Sequence, residues 1–189
     1  IHNRVIVEFK YNTAEAAGQN MVTMATDAAC RWVKKNYRSK NPFRYLVESN
    51  FCCDKNPAQK TILHGRGHHV ICSYTIPNAL LKKLLRVEVD DIVRCINDLH
   101  LGSQLAGVVG LNLHTSNALA ALYLALGQDV ACVAENCVGI GTYEKIGDDL
   151  YATLSMPSIT VGTVGGATRL KQQRRNLELL GCTGENSSR

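Results

Sequence analysis

Apolar and polar residues alternate over 4–10, with Val5, Val7 and Phe9 on one side, a period that predicts a β-strand. The period then changes. Ala17, Met21, Met24, Ala25, Ala28, Ala29, Trp32 and Val33 recur at helical spacing and predict a helix over 14–37. Thr13 is placed as its N-cap, and Lys34 and Lys35 fall near its C-terminal end, where the helix dipole favours cations. Pro42 reads as the stop and 43–47 as a second strand. Residues 50–67 show no period and carry Pro57, Gly65 and Gly67, so they read as a long loop with one short ordered piece. Loops of that length usually carry function. Alternation returns over 69–76 as a strand, Pro77 opens a helix to 85, and 87–97 is a further helix before a small-residue stretch at 102–110. The helix predicted over 115–126 is apolar nearly all round, the mark of a buried helix, and Gly127 is its stop. A strand over 148–155, a glycine-rich turn at 162–166, a helix over 169–180 stopped by Gly181, and a polar tail at 185–189 complete the chain.

The composite is α+β. A strand–helix–strand unit comes first and a larger helix-rich region follows, with the boundary placed near Val47. Composition supports a globular core: 46% of the 189 residues are hydrophobic and 20% charged. A net charge of +5 with 16 acids interspersed is too mild for nucleic acid and suits an anionic ligand such as a nucleotide or coenzyme A. The eight cysteines are scattered, with no CxxC pair and no zinc-finger spacing, and read as mostly buried free thiols in a reducing cytosol. That predicts a cytoplasmic protein without a metal site. No apolar run is long enough to span a bilayer. A chain that opens on Ile1 inside a predicted strand reads as trimmed, processed or partial.

Lys55 follows Asp54 within the long loop. A surface lysine beside an aspartate is ordinarily a solvated pair. The functional alternative is an ammonium aimed at a carbonyl oxygen, stabilising negative charge as a hydride arrives. A compact cation with a tunable pKa suits that task. Asp129 either caps the segment after the apolar helix or stands against Lys55 and holds it charged, which needs a carboxylate within roughly 4–6 Å. Asn117 on the apolar helix makes either a structural hydrogen bond or a substrate contact. Gly18 inside a helical pattern costs roughly 1 kcal/mol relative to Ala, which points to close packing or to ligand approach, and Gly165-Gly166 is a second such place. Neither forms a GxGxxG arrangement, so a Rossmann domain is not indicated. Arg66, with His64, His68 and His69 around it, reads as a turn with solvated cationic side chains, and no nearby acid or cysteine completes a ligand set for a metal.

Five segments in fixed order carry a resemblance. They are 15–21 (EAAGQNM), 50–58 (NFCCDKNPA), 65–68 (GRGH), the apolar helix ending in Gly127-Gln128-Asp129, and 156–168 (MPSITVGTVGGAT). Along almost its whole length the chain resembles the 3-hydroxy-3-methylglutaryl-coenzyme A reductase family, closest to its eukaryotic and archaeal form, whose pattern runs DAMGMNM, NYCTDKKPA, GRGK, GQD and MPSIxxGTVGGGT. The resemblance implies reduction of a thioester to an alcohol in two hydride steps with NADPH, giving mevalonate and coenzyme A. It implies part of a ferredoxin-like, NADP-binding small domain at 1–47 and part of a large substrate domain at 48–189, in a homodimer or higher homo-oligomer. Lys55 would stabilise the oxyanion and Asp129 would tune it. Asp54, Asn117 and Asn50 would contact the hydroxymethylglutaryl group. Glu15, Gly18, Gln19, Asn20, Met21, Val164 and Gly165 would line the nucleotide site.

The chain also departs from that pattern. Asn56 stands where the family has a second lysine, Glu48 where it has a serine, and Asp98 near where a further lysine aligns. Two acids and an amide thus replace groups that hold the substrate's carboxylate, and an acid repels that carboxylate. A non-catalytic nucleotide- or coenzyme A-binding relative, or a reductase of another acyl-coenzyme A, are the alternatives this leaves. The family's catalytic glutamate would precede Ile1 and its catalytic histidine would follow Arg189.

Overall fold

The computed structural model describes residues 4–38 and 43–183. In chain order its elements are α1 (Gln19–Asn36), α2 (Gln59–Leu63), β1 (His68–Ile76), α3 (Asn78–Leu85), α4 (Val89–Leu105), α5 (Thr115–Leu126), a 3-10 turn (Val130–Cys132), α6 (Val133–Asn136), β2 (Ile140–Ile146), β3 (Asp149–Ile159), a second 3-10 turn (Gly166–Arg169) and α7 (Lys171–Leu179). The chain is α+β and divides into two compact units. One holds the residues up to Asp54, Ala125–Gln128 and those from Val161 on; the other holds Lys55–Leu124 and Asp129–Thr160.

The second unit is built on an antiparallel sheet in the order β1-β3-β2. Cys72 faces Leu154 across one ladder and Thr142 faces Thr153 across the other. The β2–β3 hairpin turns at Gly147 and Asp148, with Gly147 at φ +61°. No strand pairs with the outer edge of β1 among the described residues. α3 begins where Asp149, the first residue of β3, accepts the Asn78 N–H at 3.0 Å, an anion at a helix N-terminus. It ends at Arg86, left-handed at φ +57°. Leu81 of α3, Val89 of α4 and Leu150 of β3 form a small core, closed by Ile76, Ile92, Val93 and Tyr143.

In the first unit, a parallel bridge joins Ala16 to Val164. The Gln128 side chain brackets Gly162, donating to its carbonyl at 2.9 Å and accepting its N–H at 2.8 Å. The Asn176 amide of α7 donates to the Ala125 carbonyl at 2.7 Å, and Leu177 is the buried residue of α7. Tyr11 and Tyr45 reach α1 through Thr26 and Asp27.

Several expectations are corrected. Residues 4–10 and 43–47 are extended without strand pairing among the described residues; alternation makes a strand only where a partner edge is present. α1 starts at Gln19, not at 14, because Gly18 turns left-handed at φ +82°, and no side chain caps it. Thr13 donates instead to the Ala16 carbonyl at 2.7 Å. The expected helix stop at Pro42 and the tail at 185–189 lie outside the described residues. α4 runs through the small-residue stretch to Leu105. β2 is a strand the pattern did not predict. α5 has its predicted limits but is not buried all round: Leu119 and Tyr123, one turn apart, are buried while Leu122 and Leu124 are exposed. Only Cys132 among the eight cysteines is buried, and all are free thiols. Cys72 and Cys95 stand on exposed positions of β1 and α4, and residues 71–75 of β1 are exposed on both faces of the strand. No described helix is long and apolar enough to cross a membrane.

Gly67 sits at φ +75°, and a Cβ there would lie 2.2 Å from the Ile159 carbonyl oxygen. Combining left-handed strain with overpacking, Gly67→Ala is expected to lower unfolding stability by about 3 kcal/mol, read from denaturant midpoints.

Candidate active site

Lys55 lies in a loop that its own residues disfavour. Asn50, Cys53 and Lys55 all have positive φ (60°, 63° and 57°), and a non-glycine residue in that region costs roughly 1–2 kcal/mol. The Lys55 N–H is held by Glu135 Oε2 at 3.1 Å. Its ammonium lies 2.9 Å from Asp129 Oδ2, with the two side chains 40% and 36% exposed. Asp129 follows the left-handed stop at Gly127 and also caps the 3-10 turn, accepting the Ala131 N–H at 3.0 Å. Both sequence readings of Asp129, cap and lysine partner, therefore hold in one side chain. Burial pushes its carboxyl up, but the hydrogen bond from Lys55, the Ala131 N–H and the lysine charge outweigh this and hold it below the usual carboxylate range.

Beneath this pair is a buried polar network. Glu135 is 1% exposed. Arg66 forks onto it, Nε to Oε1 and Nη2 to Oε2, each at 2.7 Å. Ser158 accepts the Arg66 N–H at 3.2 Å, and its single proton is shared between the Arg66 carbonyl at 3.0 Å and Glu135 Oε1 at 3.1 Å. Asn136, fully buried, donates to the Ser158 carbonyl and accepts from Tyr123 and Thr160. Burial there raises the Tyr123 phenol well above its ordinary pKa. The reading of Arg66 as a solvated turn residue is thus overturned, and Glu135, Asn136 and Ser158 were not singled out. The available signal was a lone acid followed by an amide within a Val/Ala/Cys stretch at 130–137.

In the other unit, the two glycine-bearing segments meet. The Glu15 carbonyl accepts the N–H groups of Thr163 and Val164 at 2.9 and 3.2 Å. A Cβ at Gly162 would lie 2.5 Å from the Ala17 nitrogen, so the approach requires glycine. Gly18 is likewise close-packed, its Cβ position 2.3 Å from Thr13. Gln19, Asn20 and Met21 form the first turn of α1, which no side chain caps. Val164 is exposed. Gly165, at φ +88° and ψ 178°, has open space beside it. A backbone bared in this way beside a helix start is a fit for a nucleotide phosphate.

A profile of the family described as hydroxymethylglutaryl-coenzyme A reductase matches residues 1–189. The chain belongs to that family. It is 39% identical over 186 residues to the 3-hydroxy-3-methylglutaryl-coenzyme A reductase of Aeropyrum pernix, covering 97% of this chain and 44% of that protein. Identity to the enzyme of the same name from Methanocaldococcus jannaschii is 34%, over 95% of this chain and 45% of the relative. For 3-hydroxy-3-methylglutaryl-coenzyme A reductase 1 of Solanum tuberosum the identity is 38%, over 95% of this chain and 30% of the relative. The chain thus spans less than half the length of these relatives.

Of the substrate residues that the reductase family implies, Asp54 is half-buried, with its N–H toward the Cys52 sulfur at 3.4 Å. Asn50 is exposed and accepts the Cys53 N–H through its carbonyl at 3.2 Å. Asn117 is exposed on the first turn of α5 rather than buried among apolar neighbours. Glu48 is turned onto its own loop, accepting from the Asn50 N–H and from the Cys52 thiol. Asn56 and Asp98 are exposed.

Replacing Lys55 with Met removes the ammonium but keeps a long side chain. The Asp129 carboxyl is then expected to titrate upward toward the ordinary carboxylate range, followed by carboxyl NMR. Because the folded carboxyl of the native chain titrates below its unfolded value, the pair's stabilisation is present above the unfolded range and lost as pH falls through the folded value. The stability gap between native and Lys55→Met chains should therefore close on acidification.

Proposed function

We propose that this chain belongs to a working reductase of 3-hydroxy-3-methylglutaryl-coenzyme A, forming mevalonate and coenzyme A. The observation that carries the reading is the Lys55–Asp129 pair at 2.9 Å, in a chain that matches the family over its whole length. Lys55 presents a cation, partly open to solvent, to the thioester oxygen. As hydride reaches the carbonyl carbon, negative charge grows on that oxygen, and a preplaced ammonium stabilises it. Asp129 keeps the ammonium charged and oriented. NADPH, when bound, supplies the hydride of each of two steps, and two equivalents are consumed per mevalonate. Glu15, Gly18, Gln19, Asn20, Met21, Val164 and Gly165 are the residues assigned to hold it, on the support of the bared backbone at Gly165 and the first turn of α1. Asp54, Asn50 and Asn117 are assigned to the acyl group. We assign 1–47 to a ferredoxin-like small domain, which the flanking of α1 by two extended segments supports, and 48–189 to the substrate domain. A homodimer or higher homo-oligomer is in keeping with exposed leucines on α3 and α4, such as Leu84, Leu85 and Leu105. A cytoplasmic setting is in keeping with the free thiols.

A second reading, reduction of an acyl-coenzyme A without a terminal carboxylate, is favoured by Glu48, Asn56 and Asp98. The two readings separate in one experiment. NADPH oxidation and mevalonate formation are measured with hydroxymethylglutaryl-coenzyme A and with an acyl-coenzyme A lacking that carboxylate. Turnover of the first, reduced on the order of 10²–10³-fold by Lys55→Ala, is the expected result. Turnover of the second alone supports the substrate switch. Nucleotide binding without turnover of either would leave a binding relative.

A further inference from the structure

We infer that Glu135 is a positioning residue for Lys55, fixing the left-handed backbone from which the ammonium reaches Asp129. The inference rests on the reading of Lys55 as the oxyanion-stabilising group. A lysine ammonium is carried on a long flexible stem, so its position is defined only if the main chain beneath it is defined. Here that main chain is in a conformation lysine rarely adopts, and two neighbours in the same loop share it. Such strain persists only where the surroundings over-determine it.

One segment, Asp129 through the 3-10 turn to α6, holds Lys55 at two points. Asp129 takes the ammonium at 2.9 Å and Glu135 takes the backbone N–H at 3.1 Å. Glu135 is itself immobilised by the Arg66 fork and by Ser158. Arg66 is in turn rooted to β3, since both its N–H and its carbonyl meet the Ser158 hydroxyl. The glycines either side of Arg66 lie so close to β3 that a Cβ would sit 2.1 Å from the Pro157 oxygen at Gly65 and 2.2 Å from the Ile159 oxygen at Gly67. The carboxylate thus relays the rigidity of the sheet to the lysine's main chain. Without it, Lys55 relaxes to negative φ, its Cα–Cβ bond swings, and the ammonium leaves Asp129.

The test uses the full chain and reads two signals that a merely structural role would not move. They are hydrogen-exchange protection of the Lys55 amide and the NMR titration of the Asp129 carboxyl. In Glu135→Ala, with folding checked by circular dichroism, Lys55 amide protection is expected to fall at least about tenfold, as for a lost hydrogen bond of ordinary strength. The Asp129 midpoint should move most of the way to that of Lys55→Met. Glu135→Gln should behave likewise, because its amide presents an NH2 to donors at one of the two oxygen positions. Thr160→Val, which strips a bond from Asn136 but leaves Glu135 alone, is the control: it should lower the melting temperature without moving either signal. A folded Glu135→Ala or Glu135→Gln in which both signals match the native chain overturns the inference. Should neither variant fold, an unprotected Lys55 amide in the native chain overturns it and a protected one supports it. Where the native chain turns over hydroxymethylglutaryl-coenzyme A, kcat should fall in Glu135→Gln with the KM for NADPH unchanged. Absent turnover would count against the proposed function alone, since the two NMR signals do not depend on it.

Discussion

A carboxylate removed from water is tolerated only where donors surround it, and Glu135 is surrounded by both arms of the Arg66 guanidinium, the Ser158 hydroxyl and the Lys55 N–H. Two irregular segments of the second unit, those carrying Lys55 and Arg66, meet on that carboxylate. Arg66 can reach only because Gly65 and Gly67 let its segment lie flat on the end of β3. The loop before α2 is drawn in because its N–H is one of the donors. Asn136 next door repeats the logic with neutral groups, tying α5 through Tyr123 to Ser158 near the end of β3. Removing one partner from such a set leaves a buried charge unmatched, which is far more damaging than the loss of any surface pair.

The Lys55–Asp129 pair obeys a different rule. At two-fifths exposure it adds little to stability. In the function proposed for it, its value is in orientation and in charge: a cation that is already placed needs no reorganisation when negative charge appears beside it. The fold therefore separates two tasks that could have been combined. An ion pair built on a buried carboxylate fixes geometry, and the pair open at both ends is the one proposed to meet substrate.

Sequence reading succeeded where a signal is local. The limits of α5 follow from an apolar run closed by a glycine that does turn left-handed, and β1 and α3 follow from alternation and Pro77. It failed where the outcome depends on a distant partner. Alternation at 4–10 promises a strand that no neighbouring edge completes among the described residues. β2 carries Gly147-Asp148 as a hairpin cue, but its polar Thr142, Glu144 and Lys145 weakened the pattern. Lys55 and Asp129 were paired through a family likeness; nothing in the 73 intervening positions encodes a distance of 2.9 Å. Glu135 was invisible because its burial is decided by an arginine 69 residues earlier in the chain.

β1 has one more consequence. Its outer edge is bare among the described residues, nine residues long, and carries Ile71 and Tyr74 in the open. An unpaired row of amides and carbonyls is a template for any other extended chain. A charge placed along that edge would discourage edge-to-edge pairing between copies, at positions apart from the Lys55–Asp129 pair.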